Sequence, residues 1–217
     1  LAFNTDDVTF GVSPDRWWNC AQSDQTDWTP AQGGPTTGRL VAVEGAIQAG
    51  MALGDYVVAY KARGIFLGSF VGGDAQWAWT LIRGGQAGAV GMEALCDIGG
   101  VHFFVGDDDF WLFDGTQPVA IGEGITRRWF NETVDPTYRY RTQCSFDKQN
   151  SLVRVNFAPR GAGGVISRCL VYHTKRQKWG IADQAVQAPL TYISPGVTID
   201  GMDSIAATID TLPNVPL

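Results

Sequence analysis

Short apolar runs, each closed by a polar or glycine-rich turn, recur along this chain, and two stretches superimpose without a gap. Leu53–Phe70 (LGDYVVAYKARGIFLGSF) and Ile98–Gly115 (IGGVHFFVGDDDFWLFDG) align at an offset of 45 residues. Each has a Gly-led turn, an apolar run, a four-residue polar turn and a second apolar run. A looser third copy spans Asp147–Tyr172, with a DKQNS turn, LVRVNF, a Gly-rich excursion and CLVY. Runs of this length, bounded by turn residues, predict β-strands paired in hairpins. A strand-built unit repeating at about 40–50 residues predicts an all-β fold, a β-propeller-like array of short antiparallel sheets that is incomplete within this chain. A blade cannot bury its own faces, so such a fold is made for stacking and for contact with neighbours.

The pattern divides residues 1–184 into blade units near 15–52, 53–97, 98–146 and 147–184, with 185–217 as a C-terminal extension or the start of a further unit. Within the units, Arg16–Cys20 and Leu40–Val43 read as strands, and Glu44–Met51 as a short helix weakened by Gly45 and Gly50. A hairpin is expected from Tyr56–Tyr60 and Ile65–Phe70, followed by a strand over Gln76–Ile82. A second hairpin joins Val101–Val105 to Phe110–Phe113, and Val119–Ile121 follows it. Ile125–Phe130 (ITRRWF) reads as a short helix. Tyr138–Ser145, Leu152–Phe157 and Arg168–Tyr172 are further strands, with a flexible loop over 158–166. Thr191–Ile199 resembles another strand pair, and Asp-rich turns punctuate 200–213. The chain starts at Leu1 and ends in a Pro-rich run, as a piece of a longer polypeptide would.

Composition sharpens this picture. The 217 residues include 27 Gly and 12% aromatics but only 18% charged residues. That mixture suits short strands joined by tight turns, and a surface partly covered by neighbours. The formal charge of −6 argues against bulk attraction to nucleic acid or to an anionic membrane. No run of about 20 apolar residues predicts a membrane span.

Candidate chemistry is sparse. Cys20, Cys96, Cys144 and Cys169 form no CxxC pair, and with only His102 and His173 a zinc centre is not expected. The thiols read as small buried hydrophobes. Asp107-Asp108-Asp109 lacks the spaced ligands and downstream Glu of a calcium loop and falls on a hairpin turn, where solvated carboxylates are ordinary. A glycosidase would need two facing carboxylates; Glu93, Asp109, Glu123 and Asp135 are available, but nothing in their spacing selects a pair. Neither histidine lies near a nucleophile elbow. The glycine doublets lack a following Lys-Ser/Thr and fail the phosphate-loop pattern. No catalytic residue, metal ligand or cofactor is expected, and the chain reads as a non-enzyme.

The tryptophans and basic clusters point instead to contacts. Trp17, Trp77, Trp111, Trp129 and Trp179 recur at roughly unit spacing and suit the gaps between blades. Trp18, Trp28 and Trp79 are candidates for exposure at an interface. Arg127, Arg128, Lys175 and Arg176 are candidate basic contacts with a partner; a duplex-binding protein would need a broader basic face.

The succession WWNCAQSDQTDWTP, LGDYVVAYKARGIFLGSFVGG, GGVHFFVGDDDFWLFDGTQPVAIGEGITRRWFNE and NSLVRVNF with CLVYHTKRQKW resembles β-propeller structural proteins of tailed bacteriophage tails, the group of tail nozzle, hub and packaged-DNA stabilisation proteins. The matching positions are Trp17–Trp28, Gly54–Phe66, and Phe103 through Asp114-Gly115 to Ile121-Gly122. The Asn19-Cys20 pair departs from the Ser-Asp-like pair of that group. The resemblance implies a virion component, assembled in the host cytoplasm, that forms a homo-oligomeric ring, a hexamer, and meets other tail and head–tail connector proteins. DNA passes through such a ring during ejection without sequence-specific binding, and an acidic lumen would keep it from sticking. The rival expectation from the same features is a receptor- or carbohydrate-binding propeller module.

Overall fold

A computed structural model of the chain describes residues 1–84, 86–183, 185–186 and 188–189. Its strands fall into four antiparallel sheets, each a meander with its strands side by side in chain order. The first holds β1 (Ala2–Asp7), β2 (Gly11–Trp18) and β3 (Thr37–Arg39); the second β4 (Ile47–Leu53), β5 (Tyr56–Lys61), β6 (Gly64–Gly72) and β7 (Gln76–Leu81). The third contains β8 (Leu95–Asp97), β9 (His102–Val105), β10 (Phe110–Phe113) and β11 (Val119–Ala120). The fourth contains β12 (Gln143–Asp147), β13 (Leu152–Phe157), β14 (Arg168–His173) and β15 (Lys178–Ala182). One helix, α1 (Gly124–Thr133), and a 3-10 segment, Pro136–Arg141, lie between the third and fourth sheets. The fold is all-β and propeller-like, and the four sheets do not close on themselves.

Side-chain alternation explains why the sheets stack. Successive residues of a strand point to opposite faces, so a strand covered on both faces reads as an unbroken apolar run. β9 (HFFV) is such a strand, and all four residues are buried. Phe104 enters a cluster with Val58, Tyr60 and Ile65 of the second sheet. Phe103 and Val105 enter another with Val153, Val155 and Phe157 of the fourth. On β5 the same logic sends Tyr60 toward the third sheet and Ala59 toward Trp17 of the first. The three clusters thus join neighbours in chain order, first to second, second to third and third to fourth. The first strands also meet their counterparts, β1 with β4 and β8 with β12.

The hairpins that carry the repeat occur where expected, with Tyr60 paired to Ile65 and Val105 to Phe110. The sheet boundaries fall one strand earlier than the units 15–52, 53–97, 98–146 and 147–184: β4, β8 and β12, assigned to the ends of units, instead open the next sheets. Their sequences are short or small-residue rich and repeat nothing. Glu44–Met51 is not a helix. β4 runs through this segment, and a Cβ at Gly50 would lie 2.5 Å from the Phe3 ring, so glycine is what lets β1 approach. The strand expected at Leu40–Val43 lies instead at Thr37–Arg39. Tyr138–Arg141 is not strand either. Pro136 at the start and the Asp135 carboxylate, which accepts from the Thr137 amide, set a 3-10 turn before β12. The helix over Ile125–Phe130 is present and one turn longer, and Phe130 anchors it between the third and fourth sheets. The features expected at 191–199 and 200–213 lie outside the described residues.

Candidate functional site

The candidate interface residues do not form one surface. Trp18, at the end of β2, is 8% exposed and packs beside Phe10, with ring centroids 5.9 Å apart. Arg16 caps that pair, its guanidinium 3.8 Å from the Phe10 centroid. Trp79 is half-buried between the first two sheets, with Trp17 and Phe3 each at 5.7 Å. The expected exposure of Trp18 and Trp79 is therefore corrected: both are held by neighbouring rings. Trp28 alone of the three remains exposed, on the loop after β2, and its indole N–H donates to the Gln25 carbonyl at 2.9 Å.

The basic candidates sit at the other end of the array. Arg127 donates to Asp109 Oδ2 at 3.0 Å, while Asp109 Oδ1 accepts from the amides of Phe110 and Gly122 at 2.8 and 2.9 Å. Asp109 is buried, so the third residue of the acidic tripeptide is not the solvated turn carboxylate the sequence suggests. It ties the β9–β10 turn to the start of α1. Asp107 and Asp108 stay exposed. Arg128 is exposed and pairs with Glu132 one turn along α1 at 3.4 Å. Lys175 and Arg176 occupy the exposed β14–β15 turn, and Lys178 on β15 reaches Glu123 at 3.9 Å. Arg127, Arg128, Lys175, Arg176 and Lys178 thus flank one edge of the fourth sheet and the face of α1 beside it.

That edge contains an apolar groove of about 270 Å³ lined by Ile125, Thr126, Trp129, Leu170, Trp179 and Ile181. Ile125 is 86% exposed. At the opposite end, the β1–β2 hairpin carries Val8, Phe10 and Val12, all exposed, beside Asp6 and Asp7. A third concavity, about 300 Å³, lies between the first and second sheets and is lined by Asn19, Gln22, Phe70, Gln76 and Trp77 among others. Its amides are largely engaged within the chain. Asn19 accepts from Thr36 and donates to the Cys20 carbonyl, and Gln76 donates to the Gly73 carbonyl.

The polar groups inside the array hold sheets together. His102 and Tyr60 are both fully buried, with Tyr60 Oη 2.9 Å from His102 Nδ1 and His102 Nε2 2.8 Å from the Ala52 carbonyl. The carbonyl can only accept, so Nε2 carries the proton and Nδ1 accepts from the tyrosine. Burial lowers the His102 pKa from its ordinary value and raises that of Tyr60. Asp15 and Arg39 form a two-pronged pair across β2 and β3, which holds the Asp15 carboxyl below its usual range. Lys61 is buried, donates to the Val43 carbonyl at 2.7 Å, and has its pKa lowered chiefly by desolvation. Sequence spacing offered no signal for these long-range partners.

Among the described residues no group of three or more His, Cys, Asp or Glu side chains could hold a metal ion. No helix among them is long and apolar enough to cross a membrane. The four cysteines are free thiols, and burial raises the pKa of Cys96, Cys144 and Cys169. No protein-family model matches the chain, and no curated protein matches it.

Proposed function

We propose that this chain is a structural subunit of a bacteriophage tail, of nozzle or hub type, that joins copies of itself into a ring around the path of the DNA. The observation that carries the assembly reading is the open stack of sheets. Among the described residues the first and fourth sheets each pack against one neighbouring sheet, and exposed apolar side chains lie at both ends of the array, Val8, Phe10 and Val12 at one and Ile125 and Ile181 at the other. An apolar face left open in this way is what a neighbouring subunit covers. The tail assignment rests on the order and spacing of the motifs from Trp17 to Trp179, and the −6 charge suits a conduit that does not retain DNA. Buried polar groups in this reading act between sheets rather than on a substrate.

Native mass spectrometry of the purified chain tests the assembly, with a closed oligomer expected and a strictly monomeric protein counting against it. Antibodies raised against the chain test the tail assignment: they should decorate the tails of particles from phages that encode it. Labelling of heads or host cells alone would refute the placement.

The concavity holding Phe70 and Trp77 beside Asn19 and Gln76 favours a second reading, a carbohydrate- or receptor-binding module, because sugar rings stack on aromatic faces beside amides. The internal engagement of those amides weighs against it. Glycan-array binding abolished by Trp77→Ala, with the fold retained, would favour this alternative over the assembly reading.

A further inference from the structure

We propose that the β1–β2 hairpin of one copy seats in the groove between α1 and β15 of the next, joining subunits head to tail. The inference rests on the assembly reading above and names its interface. The two surfaces are complementary in shape class: a projecting tip carrying Val8 and Val12 and an open apolar groove floored by Trp129 and Trp179. They are also complementary in charge. The tip carries Asp6 and Asp7 beside one cation, Arg16, whereas next to the groove Arg128 and Lys178 are matched by Glu132 and Glu123 and the exposed Lys175 and Arg176 of the β14–β15 turn add two further cations. Asp7 Oδ1 accepts from the Thr9 and Phe10 amides and so fixes the turn.

The tip lies on the first sheet and the groove on the fourth, so a head-to-tail contact leaves a free tip on one copy and a free groove on the other. The contact is heterologous, and it either closes a ring or propagates. Apolar packing supplies the affinity, and opposite charges set the encounter rate and its salt dependence.

Two variants separate the halves of this interface without touching the core: Val8→Lys with Val12→Lys on the tip, and Ile125→Arg in the groove. Sedimentation velocity and native mass spectrometry on the full chain read the outcome. The expected result is that the wild type forms species larger than dimers, while each variant alone associates about 30-fold or more weakly. An equimolar mixture of the two should stop at dimers, since only one intact tip and one intact groove remain per pair. Val8→Cys mixed with Ile125→Cys should also give a disulfide-linked dimer under oxidation, which neither variant gives alone at the same yield.

If the wild type assembles and either variant assembles equally well, the interface lies elsewhere and this proposal fails while the assembly reading stands. If the wild type stays monomeric at every concentration, both fail. If Ile125→Arg lowers the melting temperature and leaves association unchanged, the groove is filled by the chain's own residues, and the proposal is again overturned.

Discussion

His102 shows how a single side chain can lock two sheets. Its ring joins β9 to both β4 and β5, and it does so where no water can replace a lost partner. His102→Phe should leave the Tyr60 hydroxyl and the Ala52 carbonyl unsatisfied, at a cost of about 3 kcal/mol in urea unfolding followed by tryptophan fluorescence. Burial depresses the folded-state pKa below the ordinary 6.5, so at mildly acidic pH the unfolded chain takes up a proton that the folded chain resists. The stabilisation is complete above about pH 6.5 and is lost as pH falls from there through the folded-state pKa. His102→Gln should therefore show a flatter melting temperature between pH 7.5 and 5 than the wild type. His102 lies within the apolar run HFFV, but Tyr60 is 42 residues away and nothing in the pattern pairs them. Asp109 was misread for a related reason. Its neighbours Asp107 and Asp108 are solvated, and besides the adjacent Phe110 amide it is the distant Gly122 amide and Arg127 that hold the third carboxylate inward. Asp109→Ala should cost about 3 kcal/mol and Asp109→Asn about 1, because the amide oxygen can still accept from the two backbone N–H groups. Thermal melts of the two variants check the ordering.

At the scale of strands, the hairpins were readable because they repeat, whereas β4 and β8, which open the second and third sheets, were not. The repeated hairpins carry long apolar runs with fixed turns between them. β8 is only Leu95–Asp97, and β4 mixes Ala, Gly and Met, so neither has a period of its own. Their positions are set by the neighbouring strand and by packing, which propensity cannot report. Several strand glycines make sense only beside an aromatic ring across the ladder. A Cβ at Gly68 would lie 2.7 Å from Trp79, and one at Gly38 would lie 2.9 Å from Trp17. Those indoles lie over the bare backbone and fill the space between the first and second sheets. Gly68→Val should displace Trp79 and destabilise the protein by about 1–3 kcal/mol, with a change in tryptophan emission that Gly180→Ala, which has open space around it, does not produce.

The whole molecule behaves as a stack in which each sheet depends on those beside it. The third sheet is sandwiched, with β9 buried along its full length, while the first, among the described residues, has three strands and one covering sheet. The open end faces were not readable from the repeat, since a repeat says that units stack but not which surfaces remain uncovered. In an array with nearest-neighbour coupling, the ends open more easily than the middle. Hydrogen exchange followed by mass spectrometry should therefore show the slowest amides in β9 and β5, which lie inside the stack, and the fastest strand amides in β1 and β2. Assembly adds a second expectation at this scale. If a neighbouring copy covers the first sheet, peptides spanning residues 6–12 should gain protection as protein concentration rises, and those spanning 125–129 should gain it in parallel. Peptides from β9, already closed off on both faces, should not change. Raising salt from 0.05 to 0.5 M should reverse part of the gain, because the charges around the tip and groove are exposed and a Debye length shortens from about 14 to about 4 Å. Uniform protection across all four sheets at every concentration would mean that the stack opens as one unit and that no end is covered by a partner.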